Sequence, residues 1–211
     1  MVSAKDIIVK PITAQAANAL VKRVHYSGKV VNNSTLHFGA YLNDKLEGAM
    51  SFGSPMVKKN VLPLVKDTTW NGMLELNRMA FSEKLPRNSE SRALSVAFRL
   101  IKKHYPHIEW VLSFSDGTQC GDGTIYRASG FVLTQIKENS KIRINPETGM
   151  PMQSMAAFHI GKTKDFKDWQ KIRGYQLRYI YFLNESAKSR LTVPVIPFSK
   201  IDEMGAGMYK G

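Results

Sequence analysis

The sequence predicts one mixed α/β domain over residues 1–211, with a central sheet flanked by helices. Three observations carry that expectation. Apolar periodicity and turn signals follow the order strand, helix, three strands, helix, strand, helix, strand. A hydrophobic content of 43% with 22% charged residues belongs to a chain that buries a core, and 211 residues suffice for a sizeable one. No internal repeat and no linker-like stretch divides the chain. The core is expected over about residues 5–160, followed by a basic, strand-rich C-terminal extension over 161–211.

Each element has a local reason. Ile7-Ile8-Val9 reads as a strand ended by Pro11. Thr13 is a good N-cap for a helix from Ala14 towards Val24, with Ala16, Leu20, Val21 and Val24 on one face. Gly28 stops it, directly after His25-Tyr26-Ser27. Leu36 to Leu42 alternates, Asn43-Asp44 supplies a turn, and Leu46 to Phe52 returns as the hairpin partner. Gly53 to Trp70 is irregular and basic, either touching a partner or forming a solvated excursion. Glu75 to Phe81 is a strand and Ser82 to Asn88 a polar loop. Ser89 to His104 is a helix capped by Asn88 or Ser89, with Ala93, Leu94, Ala97, Leu100 and Ile101 on its apolar face. Ile108 to Phe114 is an apolar strand, Ser115 to Thr118 opens a turn, and Gly121 to Gly130 carries Tyr126 on a helix. Phe131 to Leu133 and Met155 to Ile160 read as strands around a turn at Asn145 to Met150. Asp165 to Arg173 reads as a short basic helix or loop, Gln176 to Leu183 as the last long strand, and Leu191 to Phe198 as extended around Pro194 and Pro197.

Thirty Lys and Arg face seventeen Asp and Glu, a net charge of +13. Residues 1–160 hold 20 basic and 12 acidic side chains and residues 161–211 hold 10 and 5, so the excess is spread over the fold. A polyanion partner, nucleic acid above all, is the natural inference, with Lys58, Lys59, Arg127, Lys171 and Arg173 as candidate contacts. One cysteine, Cys120, excludes an internal disulfide framework and fits a reducing compartment, and a buried thiol is its ordinary role. No apolar run approaches the roughly 20 residues that cross a bilayer, and Met1 to Lys10 lacks the apolar core of a signal peptide.

Chemistry concentrates between Glu75 and Gly130. Asp116 follows an apolar strand at the end where open sheets build sites, although Asp-Gly is also a common turn pair. Tyr126 can donate a proton, since an ordinary phenol pKa of about 10 suits an acid, or can pack. His25 and Tyr26 project from a helix end, to act or to pack. Ser89, Ser91 and the amides of their helix start form an anion site that Arg87, Arg92 and Arg78 strengthen. If His25, Tyr26, Asp116 and Tyr126 converged, they would make a hard N/O ligand set suited to iron, or acid, base and orienting groups without metal. No GxxxxGK[ST], GxGxxG, CxxC or HExxH occurs, which argues against P-loop, dinucleotide and zinc chemistry.

The element order fits the N-acetyltransferase-like fold better than a doubly wound one. His25-Tyr26-Ser27-Gly28-Lys29, Glu75 to Phe81, Ser115-Asp116-Gly117 and Ile125 to Phe131 resemble the Mom family of phage DNA-modification proteins. Arg178 to Leu183 and Leu191 to Phe198 resemble its closing segment. The resemblance implies an acetyltransferase-like enzyme that converts adenine in duplex DNA to an N6-carbamoylmethyl derivative, hiding the phage genome from restriction. It also implies His25, Tyr26, Asp116 and Tyr126 as the active-site or iron-associated set, and Arg78 and Ser91 at the donor pocket. The partners are then double-stranded DNA, with tRNA and a second copy of the chain as further candidates and no membrane, in the cytoplasm of the infected host. Arg78 to Ser91 departs from the acetyl-CoA pattern by holding no glycine, so acetyl-CoA and glycyl-tRNA both stand as donors. A non-enzymatic nucleic-acid-binding module and a small-molecule or protein N-acyltransferase are the competing readings.

Overall fold

A computed structural model describes residues 2–25, 27–120 and 123–207. Tyr26 lies outside the described residues, and so does the side chain of Cys120. The described strands are β1 (Ile8–Pro11), β2 (Ser34–Leu42), β3 (Lys45–Gly53), β4 (Met73–Phe81), β5 (Trp110–Asp116), β6 (Val132–Ile144), β7 (Pro151–Gln153) and β8 (Lys171–Phe182). They form an eight-stranded sheet in the order β1-β2-β3-β4-β5-β8-β6-β7. The helices are α1 (Ala14–Val24), α2 (Lys58–Val61), α3 (Ser89–His104), α4 (Gly117–Cys120), α5 (Thr124–Ala128), α6 (Ser154–His159), α7 (Thr163–Phe166), α8 (Glu185–Lys188) and α9 (Ser199–Glu203). The chain divides into two compact units.

The first unit comprises Met1–Ser113, Ile125–Val132 and Ile180–Pro194. β1 to β4 form an antiparallel meander, and β5 joins β4 in parallel. Asn43 and Asp44 both adopt positive φ, 48° and 61°, which makes the tight β2–β3 turn the sequence signalled. Thr13 Oγ1 accepts from the Ala16 amide and starts α1, which buries Ala17, Leu20 and Val21. Ala17, where the sequence pointed to Ala16, packs with Leu20 on Ala49 of β3.

α3 buries Phe98 rather than Leu100. The Phe98 ring stacks on Tyr181 at 4.1 Å and stands 5.7 Å from Phe131 and 6.3 Å from Phe52, which meets Phe38 at 6.0 Å. Gly53 to Trp70 is more ordered than its composition implied, holding α2 and a 3-10 turn at Leu62–Leu64. Trp110, fully buried, donates its indole N–H to Thr68 Oγ1 at 3.0 Å, and Thr68 donates to the Val65 carbonyl at 2.7 Å. From the other side, Arg190 pairs with Glu109 and donates to the Lys66 carbonyl, whose own amide donates to the Arg190 carbonyl.

The second unit comprises Phe114–Thr124, Leu133–Tyr179 and Val195–Gly211. β6 and β7 pair antiparallel around the turn at Asn145 to Gly149, where Asn145 Oδ1 accepts from the Glu147 amide. Arg178 of β8 donates to Thr134 of β6, and Tyr179 stacks on Phe198 at 6.1 Å. Gly117 abuts the Ala206 carbonyl so closely that a Cβ would collide with it.

Three expectations are corrected in this unit. Met155 to Ile160 is not a strand: Ser154–His159 is α6, burying Ala157 while Phe158 is exposed, a helical alternation that a short apolar run does not reveal. β6 extends to Ile144, well past Leu133, because pairing with β7 holds a segment whose Lys137, Glu138 and Lys141 face water. β8 begins at Lys171, so Lys171 and Arg173 stand on a strand and not on a helix or loop.

Trp110→Phe should keep the fold but lower stability by about 2–3 kcal/mol, through lost volume and a lost indole hydrogen bond. Thermal or urea unfolding measures this, and an unchanged midpoint would refute the indole's role in holding residues 62–70.

Candidate active site

β4 and β5 are both long, yet their parallel pairing covers only Met73↔Trp110, Leu74↔Val111 and Glu75↔Leu112 among the described residues. β4 stays paired to β3 as far as Phe81↔Gly48, with an irregularity where Leu76 faces Phe52 and Arg78 faces Ser51, so that Asn77 is the extra residue. Such a bulge bends and twists its strand. Ser113, the first β5 residue beyond the paired stretch, is buried and donates its hydroxyl to Tyr126 OH at 3.1 Å. α5 presents Tyr126, whose ring meets Phe131 edge-on at 5.3 Å and so is braced by the Phe98–Tyr181 stack. A phenol that accepts from Ser113 keeps its own proton for donation.

His25 ends α1. The Ser27 amide and hydroxyl both lie at its Nδ1, at 3.1 and 2.8 Å. An amide can only donate, so Nδ1 accepts and the proton of the neutral ring sits on Nε2. Burial, reinforced by the Arg78 charge, lowers the His25 pKa from 6.5 to about 4. Arg78 is fixed by donating to the carbonyls of Lys29 at 2.9 Å and Asn77 at 2.8 Å. Nearby on β4, burial raises the carboxyl pKa of Glu75, against hydrogen bonding to Asn77 and the Arg78 charge.

The start of α3 lacks a side-chain cap. Asn88 occupies the cap in the left-handed region at φ 70° without a capping bond. Ser91 donates to the Asn88 carbonyl, and Ser89, fully buried, donates to the Pro86 carbonyl. The Ser89 hydroxyl is therefore structural and not a donor contact as expected. Arg87 and Arg92 are exposed beside this turn.

Asp116 closes β5 in the second unit and lies on the strand, where a turn was expected. It is 9% exposed. Oδ1 accepts from the amide and hydroxyl of Thr118, and Oδ2 accepts from Gln153 Nε2 at 2.7 Å. Among the described residues no cluster of three His, Cys, Asp or Glu occurs. Asp116 is held by neutral donors, and His25 Nδ1 accepts from Ser27.

The basic candidates separate. Lys59, Arg127, Lys171 and Arg173 are exposed, although Arg173 Nε pairs with Glu138 at 3.1 Å. Lys58, expected as a nucleic-acid contact on an irregular basic loop, is buried with its ammonium 5.0 Å from the Trp70 ring centroid, because α2 turns it inward. Sequence reasoning missed Ser113, Glu75, Ser27 and Gln153. Ser27 was flagged only by adjacency to His25, and nothing in the sequence links Gln153 to Asp116.

The Mom protein family model matches residues 6–200. The protein named "Methylcarbamoylase mom" of Escherichia phage Mu is 35% identical over 193 residues, which is 89% of this chain and 80% of that one. The solved IAA acetyltransferase from Bacillus cereus has a TM-score of 0.51 at 11% identity, over 83% of this chain and 99% of its own. The ribosomal-protein-S18-alanine N-acetyltransferase from Escherichia coli has a TM-score of 0.50 at 10% identity, over 84% and 94%. The fold is thus that of the N-acetyltransferases, and the chain belongs to the Mom protein family.

Proposed function

We propose that the chain is a transferase that modifies the N6 amine of adenine in duplex phage DNA with a carbamoylmethyl group, shielding that DNA from restriction in the host cytoplasm. The observation that carries this reading is Tyr126 held on Ser113 where β4 and β5 part, within a chain akin to a protein named a methylcarbamoylase. The N6 lone pair is delocalised into the ring, so the enzyme must orient the amine, take its proton and stabilise charge on the donor. Asp116, steadied by Thr118 and Gln153, orients the amine and accepts its proton. Tyr126 donates to the leaving group, and His25, neutral with its proton on Nε2, donates to the developing oxyanion. The family resemblance adds Tyr26 to this set.

The donor's phosphate rests on the uncapped amides of α3 near Ser91, with Arg78, Arg87 and Arg92 supplying charge. Both acetyl-CoA and glycyl-tRNA carry such a phosphate. An acetyl unit brings two carbons and an oxygen but no nitrogen, whereas a glycyl unit carries every heavy atom of the added group, which favours the glycyl donor. Its nitrogen is an amine on the methylene carbon, so acyl transfer first gives the N6-glycyl isomer, and a rearrangement that moves the N6 bond to the methylene carbon and the amine to the carbonyl completes the carbamoylmethyl group. The target base is flipped from the duplex, and exposed Lys59, Arg127 and Lys171 hold the DNA backbone with salt-dependent affinity. No described helix is long and apolar enough to cross a membrane.

Mass spectrometry of nucleosides from cells expressing the chain should show a modified deoxyadenosine, and unchanged adenine beside folded protein would defeat the reading. Asp116→Asn and Tyr126→Phe should each retain the fold and lose roughly 100-fold or more in rate; full activity in either would remove the role given to that residue. His25 supplies a pH test. Its folded pKa of about 4 lies below the ordinary 6.5, so the unfolded chain takes up its proton first. The stability of the neutral ring is complete above about pH 6.5 and is lost as pH falls towards 4. Melting temperature should therefore drop more steeply over that window in the unmodified chain than in His25→Gln, and parallel curves would contradict the assignment.

A further inference from the structure

At the starts of β4 and β5, the opposite end of these strands from their parting, a groove of about 350 Å3 is lined by Thr35, Lys58, Asn71, Met73, Tyr105 and His107 among others. Its volume lies in the range of small-ligand sites. The floor is apolar, with Met73 and Ile108 buried, and the rim is polar, with Thr35, Ser54, Asn71 and His107 exposed. Among the described residues no acidic side chain lines it, which disfavours an amine or a cation as occupant.

Lys58 is the unusual member. The residue is 9% exposed, yet its ammonium has only neutral company: Ser54 Oγ at 3.5 Å and the Trp70 ring at 5.0 Å. Among the described residues no carboxylate lies within ion-pair distance of it. Burial lowers its pKa, as expected for a cation removed from water without an anion. A partly desolvated cation without a counter-ion carries a cost, and an anion entering the groove would relieve it. Two large aromatic side chains stand partly in solvent here: Tyr105, in the groove lining, is 40% exposed and meets the His107 ring edge-on at 6.4 Å, and Trp70, next to the lining residue Asn71 and under the Lys58 ammonium, is 56% exposed. Open aromatic faces next to a cation suit a stacked base joined to a phosphate, and Asn71 and Thr35 offer both donors and acceptors to a base edge.

We propose that this groove is a second binding site that takes one nucleotide unit, its phosphate on Lys58 and its base against Trp70 and Tyr105. The unit is separate from the adenine under modification. It is either a free mononucleotide or one residue of a strand, which share this chemistry.

The test is calorimetric titration of the full chain at low salt with thymidine 5′-monophosphate, thymidine, inorganic phosphate and a thymidine pentanucleotide. Thymine excludes binding as the adenine substrate. Thymidine 5′-monophosphate should bind at one site, about tenfold or more tighter than thymidine or phosphate alone. Lys58→Gln should weaken it about tenfold or more, as should Trp70→Ala, an exposed change that leaves the fold intact. Asp116→Asn should bind it as the unmodified chain does. Tighter binding of the pentanucleotide with the same dependence on Lys58 identifies a strand as the source; equal or weaker binding identifies the free nucleotide. Absent saturation with thymidine 5′-monophosphate, affinity unchanged in both variants, or phosphate binding as tightly as the nucleotide would overturn the proposal. Those failures would leave the nucleoside mass spectrum intact, so they are distinct from failure of the adenine-modification reading.

Discussion

Backbone groups on β4 and β5 that leave their shared ladder after Glu75 and Leu112 still need hydrogen-bond partners. β4 can part because its other edge remains paired to β3, and the extra residue at Asn77 supplies the bend. Just past the last paired residue stands buried Ser113, whose hydroxyl donates to Tyr126. Placement of Tyr126 therefore follows from a ladder that stops early.

Packing then makes the geometry rigid. Tyr126 meets Phe131, which meets Phe98 and Tyr181, and Phe98 continues to Phe52 and Phe38 on the meander. A row of aromatic rings buries much apolar area with few rotatable bonds, so it holds position at low entropic cost. The electrostatics follow the same architecture. Arg78, anchored to two carbonyls, adds to burial in keeping His25 neutral, and a neutral imidazole with a defined tautomer suits hydrogen-bond donation better than an imidazolium repelled by its neighbour.

The stretch from Arg78 to Ser91 reaches without glycine a conformation that glycine usually supplies. It has no glycine, which argued against close wrapping of a phosphate. Asn88 nevertheless adopts the left-handed conformation that glycine usually supplies, because a short amide side chain tolerates it. The helix start is left uncapped as a result, and Ser89 and Ser91 turn their hydroxyls to carbonyls instead of covering the amides. Absence of a glycine motif is therefore weak evidence against an anion site when Asn stands at the cap.

Local chemistry alone determined much of the scaffold. Thr13 and the apolar spacing after it start α1, Asn43-Asp44 close the β2–β3 hairpin, and the α3 boundaries at Ser89 and His104 follow from periodicity. The motifs around His25, Glu75, Asp116 and Tyr126 were also legible, since each lies within a few residues of a recognisable boundary. Only the folded chain decided that Ser154–His159 is helical, that β6 runs to Ile144 and that Lys58 turns inward. It alone joined Gln153 to Asp116, Ser113 to Tyr126 and Arg78 to the Lys29 carbonyl. The reason is range: caps and turns are written in neighbouring residues, whereas strand pairing, burial and hydrogen bonds across tens of residues depend on partners that sequence adjacency does not name.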